Sequence, residues 1–344
     1  MSIRWTEIPM NIWLPARLIW TIRQLRLLSG GLAVALLVSC GGGNDGDTTR
    51  YQAVAMAGEL IDYALDTTNL TYTYTITESQ FGLDGTTGTG TLTRNADGSY
   101  TPSGAPDARM IILPNGLLLG AVRERFGASV VTVPIVGLKD PVTTIAALAA
   151  DYNYVQRGCA SGVCPVSHGT FRIEAAGAWS SCRDGNVAAG ACTGTAAKGT
   201  LESRGGGLWR VKSDDGTDIG TAMAFNSGGQ NVLIVDLKDR RAGGFGIGML
   251  LGGQQVAMTS TMTDGTWVAA TASGHWFLFT ASGSDIAISQ IDWQPVTLDT
   301  TFTANDPWTG MATTAWGEIG FFAGAGLYML ETPAGDVELG VKLH

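Results

Sequence analysis

Hydrophobic and polar residues alternate with a period of two along much of the chain. Residues 71–77 read Thr-Tyr-Thr-Tyr-Thr-Ile-Thr, which puts Tyr72, Tyr74 and Ile76 on one face and predicts a half-buried antiparallel strand. Gly82-Leu83-Asp84-Gly85 is a turn signal, 90–94 runs back, and Asn95-Ala96-Asp97-Gly98 turns again into 99–101, a meander. Residues 110–113 and 117–119 flank Pro114-Asn115-Gly116 as a further hairpin, and 130–136 follows as another strand. One element breaks the pattern. Behind Asp140-Pro141, the apolar residues Ile145, Leu148 and Ala149 fall at helical spacing, with Thr143 or Thr144 as cap, and predict a short helix over 142–152.

The second half repeats the style at 169–173, 199–201, 208–211 and 232–237. It continues through 266–270, 275–280, 286–288, 321–322 and 327–330 to a terminal run with Val337, Leu339, Val341 and Leu343 on one face. Strands at about ten-residue spacing predict an all-β chain, an antiparallel meander forming one or two barrels or sandwiches. The boundary falls where the helix ends, giving an N-terminal β domain over 51–150 and a C-terminal β domain over 151–344. Two weak internal matches accompany this division: Gly-Thr-Leu at 90–92 with 199–201, and 133–140 with 232–239. Their offsets differ by ten residues, so a duplication requires a gap of that size.

The first 47 residues are of another kind. Arg4, Arg17, Arg23 and Arg26 stand against the single acid Glu7, and 27–38 is an uninterrupted run of apolar and small residues. As a helix this 12-residue run spans about 18 Å, short of the ~30 Å hydrocarbon core, so it reads as the apolar region of an export signal. The run ends Leu37-Val38-Ser39-Cys40, followed by Gly41-Gly42-Gly43-Asn44-Asp45-Gly46-Asp47. Here the chain resembles a bacterial lipoprotein precursor, the four residues looking like a lipobox and the rest like its flexible tether. The resemblance implies a signal peptide over 1–39, a lipidated tether over 40–50, and acylation of Cys40 as the anchor to a lipid bilayer. Gly41, rather than an Asp, follows the cysteine, which in such proteins implies the outer membrane. The competing reading is an ordinary secretory peptide with an incidental cysteine, and Met10 is an alternative start.

Charge sharpens this. Loss of 1–39 removes four arginines and one glutamate, moving the net charge from −9 by three to −12. Nucleic acid is thereby excluded as a partner class, because its binding is carried by cationic neutralisation of phosphates. With Cys40 assigned to lipid, Cys159, Cys164, Cys182 and Cys192 remain, an even count that reads as two disulfides in an oxidising compartment. Spacing favours Cys159 with Cys164 and Cys182 with Cys192, the latter closing over the turn signal Arg183-Asp184-Gly185-Asn186. C-x4-C and C-x9-C without a histidine pair do not make a zinc site.

The candidate chemistry is sparse. Three histidines and no HExxH, GxxxxGK[ST] or GxSxG leave no catalytic set, and nothing calls for a cofactor. Trp209, Trp267 and Trp276, with His275 beside the last, are candidates to line a ligand groove, against the plain alternative that they pack a core. Asp214, Asp215 and Asp218 put three carboxylates in one loop, a calcium candidate that lacks the DxDxDG spacing and closing Glu. The apolar, glycine-rich run 243–253 is a candidate strand edge for a partner. The reading is an exported, lipid-anchored, non-enzymatic β module binding a small molecule, with an envelope protein as the alternative partner in a structural or adhesin-like role. A hydrolase would need carboxylates brought together in a cleft.

Overall fold

The computed structural model describes residues 48–343, apart from 104, 106–107, 127–128, 161–162, 191, 228, 242–243 and 325. The signal peptide, Cys40 and nearly all of the tether lie outside the described residues. The chain is all β, as the alternation requires, and its strands form three eight-stranded antiparallel meanders rather than one or two.

The first comprises β1 (Thr48–Ala55), β2 (Glu59–Asp66), β3 (Thr71–Ser79), β4 (Thr87–Arg94), β5 (Tyr100–Pro102), β6 (Ile111–Ile112), β7 (Leu117–Phe126) and β8 (Ser129–Leu138). β8 pairs with β1, and the remaining gap between the short strands β5 and β6 is spanned by one bridge, Tyr100 to Met110. The second ring is a closed barrel of β9 (Ala150–Cys159), β10 (Val166–Ile173), β11 (Ala178–Arg183), β12 (Thr195–Gly205), β13 (Leu208–Ser213), β14 (Asp218–Ser227), β15 (Gln230–Asp239) and β16 (Gly246–Gln254). A one-turn helix, α1 (Ser260–Thr263), leads to the third. That barrel closes β17 (Gly265–Thr271), β18 (Trp276–Ser282), β19 (Asp285–Ile291), β20 (Gln294–Ala304), β21 (Met311–Thr314), β22 (Ile319–Ala323), β23 (Leu327–Glu331) and β24 (Val337–Lys342).

Only a 3-10 turn, Ile145–Leu148, stands where a helix over 142–152 was expected. Leu148 is buried as the spacing suggested, but from Ala150 onward the chain alternates again, with Tyr152 and Tyr154 pointing into the second barrel. The apolar run 243–253 is not an edge. Its described part forms β16, hydrogen-bonded on both sides, to β15 and β9. Of the two internal matches, Gly-Thr-Leu falls on β4 and β12, the fourth strand of each ring. The longer one pairs β8, an eighth strand, with β15, a seventh.

Burial explains the arrangement. Each ring has its own interior cluster: Tyr51, Ala53, Ile61 and Tyr63 in the first, Tyr152, Phe171, Trp209 and Leu233 in the second, Trp267, Phe279, Phe322 and Tyr328 in the third. A fourth cluster belongs to all three, built from outward-facing residues: Val54, Leu119 and Val136 from the first ring, Val155, Ile234 and Leu251 from the second, Val268, Met329 and Leu339 from the third. Strands such as β1, β15 and β24 are therefore buried on both faces, whereas the outward positions of β3, β4, β12 and β20 are largely polar and exposed.

An eight-stranded ring leaves room inside for little more than side chains. Glycine opposite an aromatic residue is the recurring solution. Tyr74 faces Gly88 and Tyr72 faces Gly90 across β3 and β4, Trp179 faces Gly199, and Tyr328 faces Gly340, each ring occupying the place a Cβ would take. Both glycines of β4 follow from this, not from turns.

Where the first and second rings meet, polar groups are buried with the apolar ones. Glu78 accepts from Thr221 (2.7 Å) and pairs with Lys238 (3.1 Å) and Arg204. Asp236, beside Thr221 in the sheet, is fully buried with neither carboxylate oxygen hydrogen-bonded. Burial pushes its pKa up to about 8, with Lys238 opposing and Glu59 adding to the rise. Glu59 is itself buried, one oxygen accepting from Ser79 and the other without a partner.

Two expectations follow. Gly90→Ala should destabilise the protein by about 1–3 kcal/mol in chemical denaturation, because the added methyl displaces the Tyr72 ring, although Gly→Ala within an open strand ordinarily gains about 0.5–1 kcal/mol. Asp236 holds its proton in the folded state between the usual carboxyl range and about 8, whereas the unfolded chain has released it. Its contribution to stability therefore falls as pH rises through that window and levels off above it. Asp236→Asn should thus raise the melting temperature more at pH 9 than at pH 5, and an equal shift at both would show that the carboxyl is already ionised in the fold.

Candidate functional site

The interior of the second barrel is not completely filled. A cavity of about 50 Å³ lies among Phe171, Ile173, Leu201, Val211, Leu233 and Leu250, with only apolar surface exposed to it. It shares the walls Tyr154, Trp179, Ser181 and Phe245 with a larger opening of about 510 Å³ at one end of the barrel. That volume falls in the range of small-molecule sites.

The strands fix these groups. On β11, Trp179, Ser181 and Arg183 lie at successive inward positions, and Trp179 is held by its indole N–H donating to the Lys212 carbonyl (3.0 Å). Phe245, just before β16, meets Trp179 edge to face at 6.1 Å. Its backbone N–H donates to Asp239, which locates the segment over the opening. Tyr154, on β9, passes over Gly169 of β10, where a side chain would collide with the ring. Its hydroxyl is fully buried beside the Arg183 side chain, and its proton has no acceptor among the described residues. Burial raises its pKa, Arg183 pulls it back and Asp184 adds a smaller rise.

The charges at the opening divide into two sets. Arg241 is neutralised within the protein: its guanidinium meets both oxygens of Asp239 (3.0 and 3.1 Å) and one of Asp215 (2.6 Å). Hydrogen bonds from Ser213 and Thr217, reinforced by Arg241, hold the Asp215 carboxyl far below the usual carboxylate range. Arg183 has no carboxylate within ion-pairing distance among the described residues. The disulfide Cys182–Cys192 ties β11 to the segment bordering the opening, and Cys159–Cys164 closes the turn after β9. Both pairings are those the spacing favoured.

The aromatic candidates singled out from the sequence are not brought together. Trp209 is buried in the second barrel but does not line the cavity. Trp267 fills the third barrel, stacked on Phe279 and flanked by Phe322 and Tyr328, its indole N–H donating to Thr263. Trp276 belongs to the core shared by the rings, packed on Trp293 at 5.7 Å. His275 is exposed and bonded through Nδ1 to Asp292 (2.8 Å).

The calcium candidate also separates. Asp215 closes a turn and pairs with Arg241, Asp218 pairs with Arg210 (3.4 Å) and Lys238 (3.3 Å), and no group of three possible ligands able to hold a metal occurs among the described residues. The third barrel holds two carboxyls whose pKa burial raises. Glu338, pushed up to about 8, accepts from the Tyr328 hydroxyl, and Glu318 accepts from Thr314 (3.0 Å).

Tyr154 and Arg183 were missed by sequence reasoning. Tyr154 follows the segment read as helix, and Arg183 was absorbed into a turn signal. The one available clue was Tyr-Asn-Tyr at 152–154, an alternation as strict as that of β3.

No protein-family model matches the chain, and no curated protein matches it. Among solved structures, it aligns with pol III beta from Caulobacter crescentus at 10% identity, covering 86% of this chain and 92% of that one with a TM-score of 0.10. It aligns also with the C. crescentus beta sliding clamp with PEG bound, at 10% identity over 86% and 91% with a TM-score of 0.11. Similarity this low carries no argument.

A buried hydroxyl without a partner costs about 1–3 kcal/mol. Tyr154→Phe should therefore raise the stability of the ligand-free protein by about 1 kcal/mol or more in denaturant titration. A loss would mean that the hydroxyl is already satisfied in the fold.

Proposed function

We propose that this chain is an exported protein, lipid-anchored to the cell envelope through Cys40, whose second barrel binds a small molecule without catalysis. The observation that carries the binding reading is the pairing of an unfilled apolar barrel interior with the unpartnered Tyr154 hydroxyl at its opening. An interior evolved only to pack would place a phenylalanine there. The export reading rests on the basic leader, the apolar run 27–38 and the lipobox-like Leu37-Val38-Ser39-Cys40, and the disulfides suit that compartment. The outer membrane is the favoured destination, on Gly41. The acidic net charge sets nucleic acid aside as a partner. A structural or adhesin-like role has lost its best sequence support, because the run 243–253 offers no free edge.

Native mass spectrometry of the mature protein from its own cells tests each part. The expected result is acyl mass on Cys40, the loss of four hydrogens to two disulfides, and a co-purified small molecule released on unfolding. Cytosolic protein with an uncut leader and free thiols would overturn the export reading. A lipidated but empty protein would overturn the binding reading.

A further inference from the structure

We propose that the opening of the second barrel takes an apolar carboxylate, its hydrocarbon body against Trp179 and Phe245 and its carboxylate between the Tyr154 hydroxyl and the Arg183 guanidinium. This inference rests on the binding reading above and specifies the ligand.

Two donor groups meet at the opening without an acceptor. A guanidinium has five N–H donors and no acceptor, and a tyrosine hydroxyl in an apolar wall is served best by an acceptor. Tyr154 is fully buried, borders both the cavity and the opening, and has the Arg183 side chain beside its hydroxyl, a neighbour that can donate to it but not accept from it. Arg183 lies at the inward position of β11 beyond Ser181, lining the same opening. Its field reaches the tyrosine hydroxyl.

The neighbouring Arg241 shows what the fold does with a cation meant for structure: it receives two carboxylates, one of them in a two-point contact. Arg183 receives none among the described residues. A cation left uncompensated in an otherwise acidic chain, beside an orphan donor, calls for an acceptor that carries charge. A carboxylate fits in shape as well, because its two oxygens match a guanidinium edge in one plane.

The walls set the rest. Trp179 and Phe245 meet edge to face, so they present flat apolar surface to the opening, and the inner cavity exposes no polar atom. A strongly hydrated ligand such as a sugar would leave its hydroxyls unserved there. The inner cavity, about 50 Å³, admits the tip of the hydrocarbon body, and the opening of about 510 Å³ holds the remainder.

The test is calorimetric titration of the mature, disulfide-bonded protein with octanoate, 1-octanol and octylamine. Octanoate should bind one to one, and octanol about tenfold more weakly or worse, the worth of a hydrogen bond to a charged group. Octylamine should not bind. Arg183→Gln and Tyr154→Phe should each weaken octanoate by about tenfold while leaving octanol within about twofold. Circular dichroism of both variants checks the fold, and the Phe variant is isosteric within the barrel.

Octanol binding as well as octanoate, or either variant leaving octanoate unchanged, overturns the carboxylate assignment while the pocket stands. If none of the three binds, the proposal fails. The mass-spectrometric result then decides whether the binding reading falls with it: a co-purified neutral or cationic molecule preserves that reading, and an empty protein does not.

Discussion

The narrowness of an eight-stranded ring governs this protein. Inward side chains must share a limited space, and at several positions an aromatic ring turned inward lies over a glycine of the neighbouring strand. Glycine at 88, 90, 199 and 340 gives that space to Tyr74, Tyr72, Trp179 and Tyr328. Glycine ordinarily weakens a strand, and here the covering ring restores the lost contact. In the third barrel Trp267 packs against Phe279, Phe322 and Tyr328. The second barrel leaves a cavity of about 50 Å³ unfilled.

The second determinant is the core the three rings share. Each ring turns its most apolar strands toward the other two and its polar strands toward water. The first ring meets the second through a half-buried polar cluster as well as apolar contact: Glu78, Lys238, Arg204 and Thr221 satisfy one another, while burial of the neighbouring Asp236 pushes its pKa up to about 8. The cluster makes this junction sensitive to pH in a way the purely apolar contacts are not.

Legibility in the sequence followed burial. Strands with one wet face, such as β3 and β4, showed the period of two plainly, and the turns between them carried their glycines where expected. β1 and β16 lack that period because both of their faces are covered, whereas the alternation of β9 begins behind residues whose spacing suggests a helix. The same effect hid the number of rings, because the shared core erases the polar stretches that would have marked two boundaries. The disulfides were readable, since four cysteines within a short window leave few geometries. The site was not. Aromatic content pointed to Trp267 and Trp276, which pack, whereas Tyr154 and Arg183 gain meaning only when β9 and β11 bring their inward faces to one opening.

The first ring differs from the others at its seam. Its closure depends on two strands of three and two residues joined by the reciprocal backbone hydrogen bonds of Tyr100 and Met110, both 2.8 Å. A hoop fails at its thinnest stave. Of the three hoops this is the one held across a joint by a single bridge, where its neighbours have ladders all the way round, so local opening costs least there.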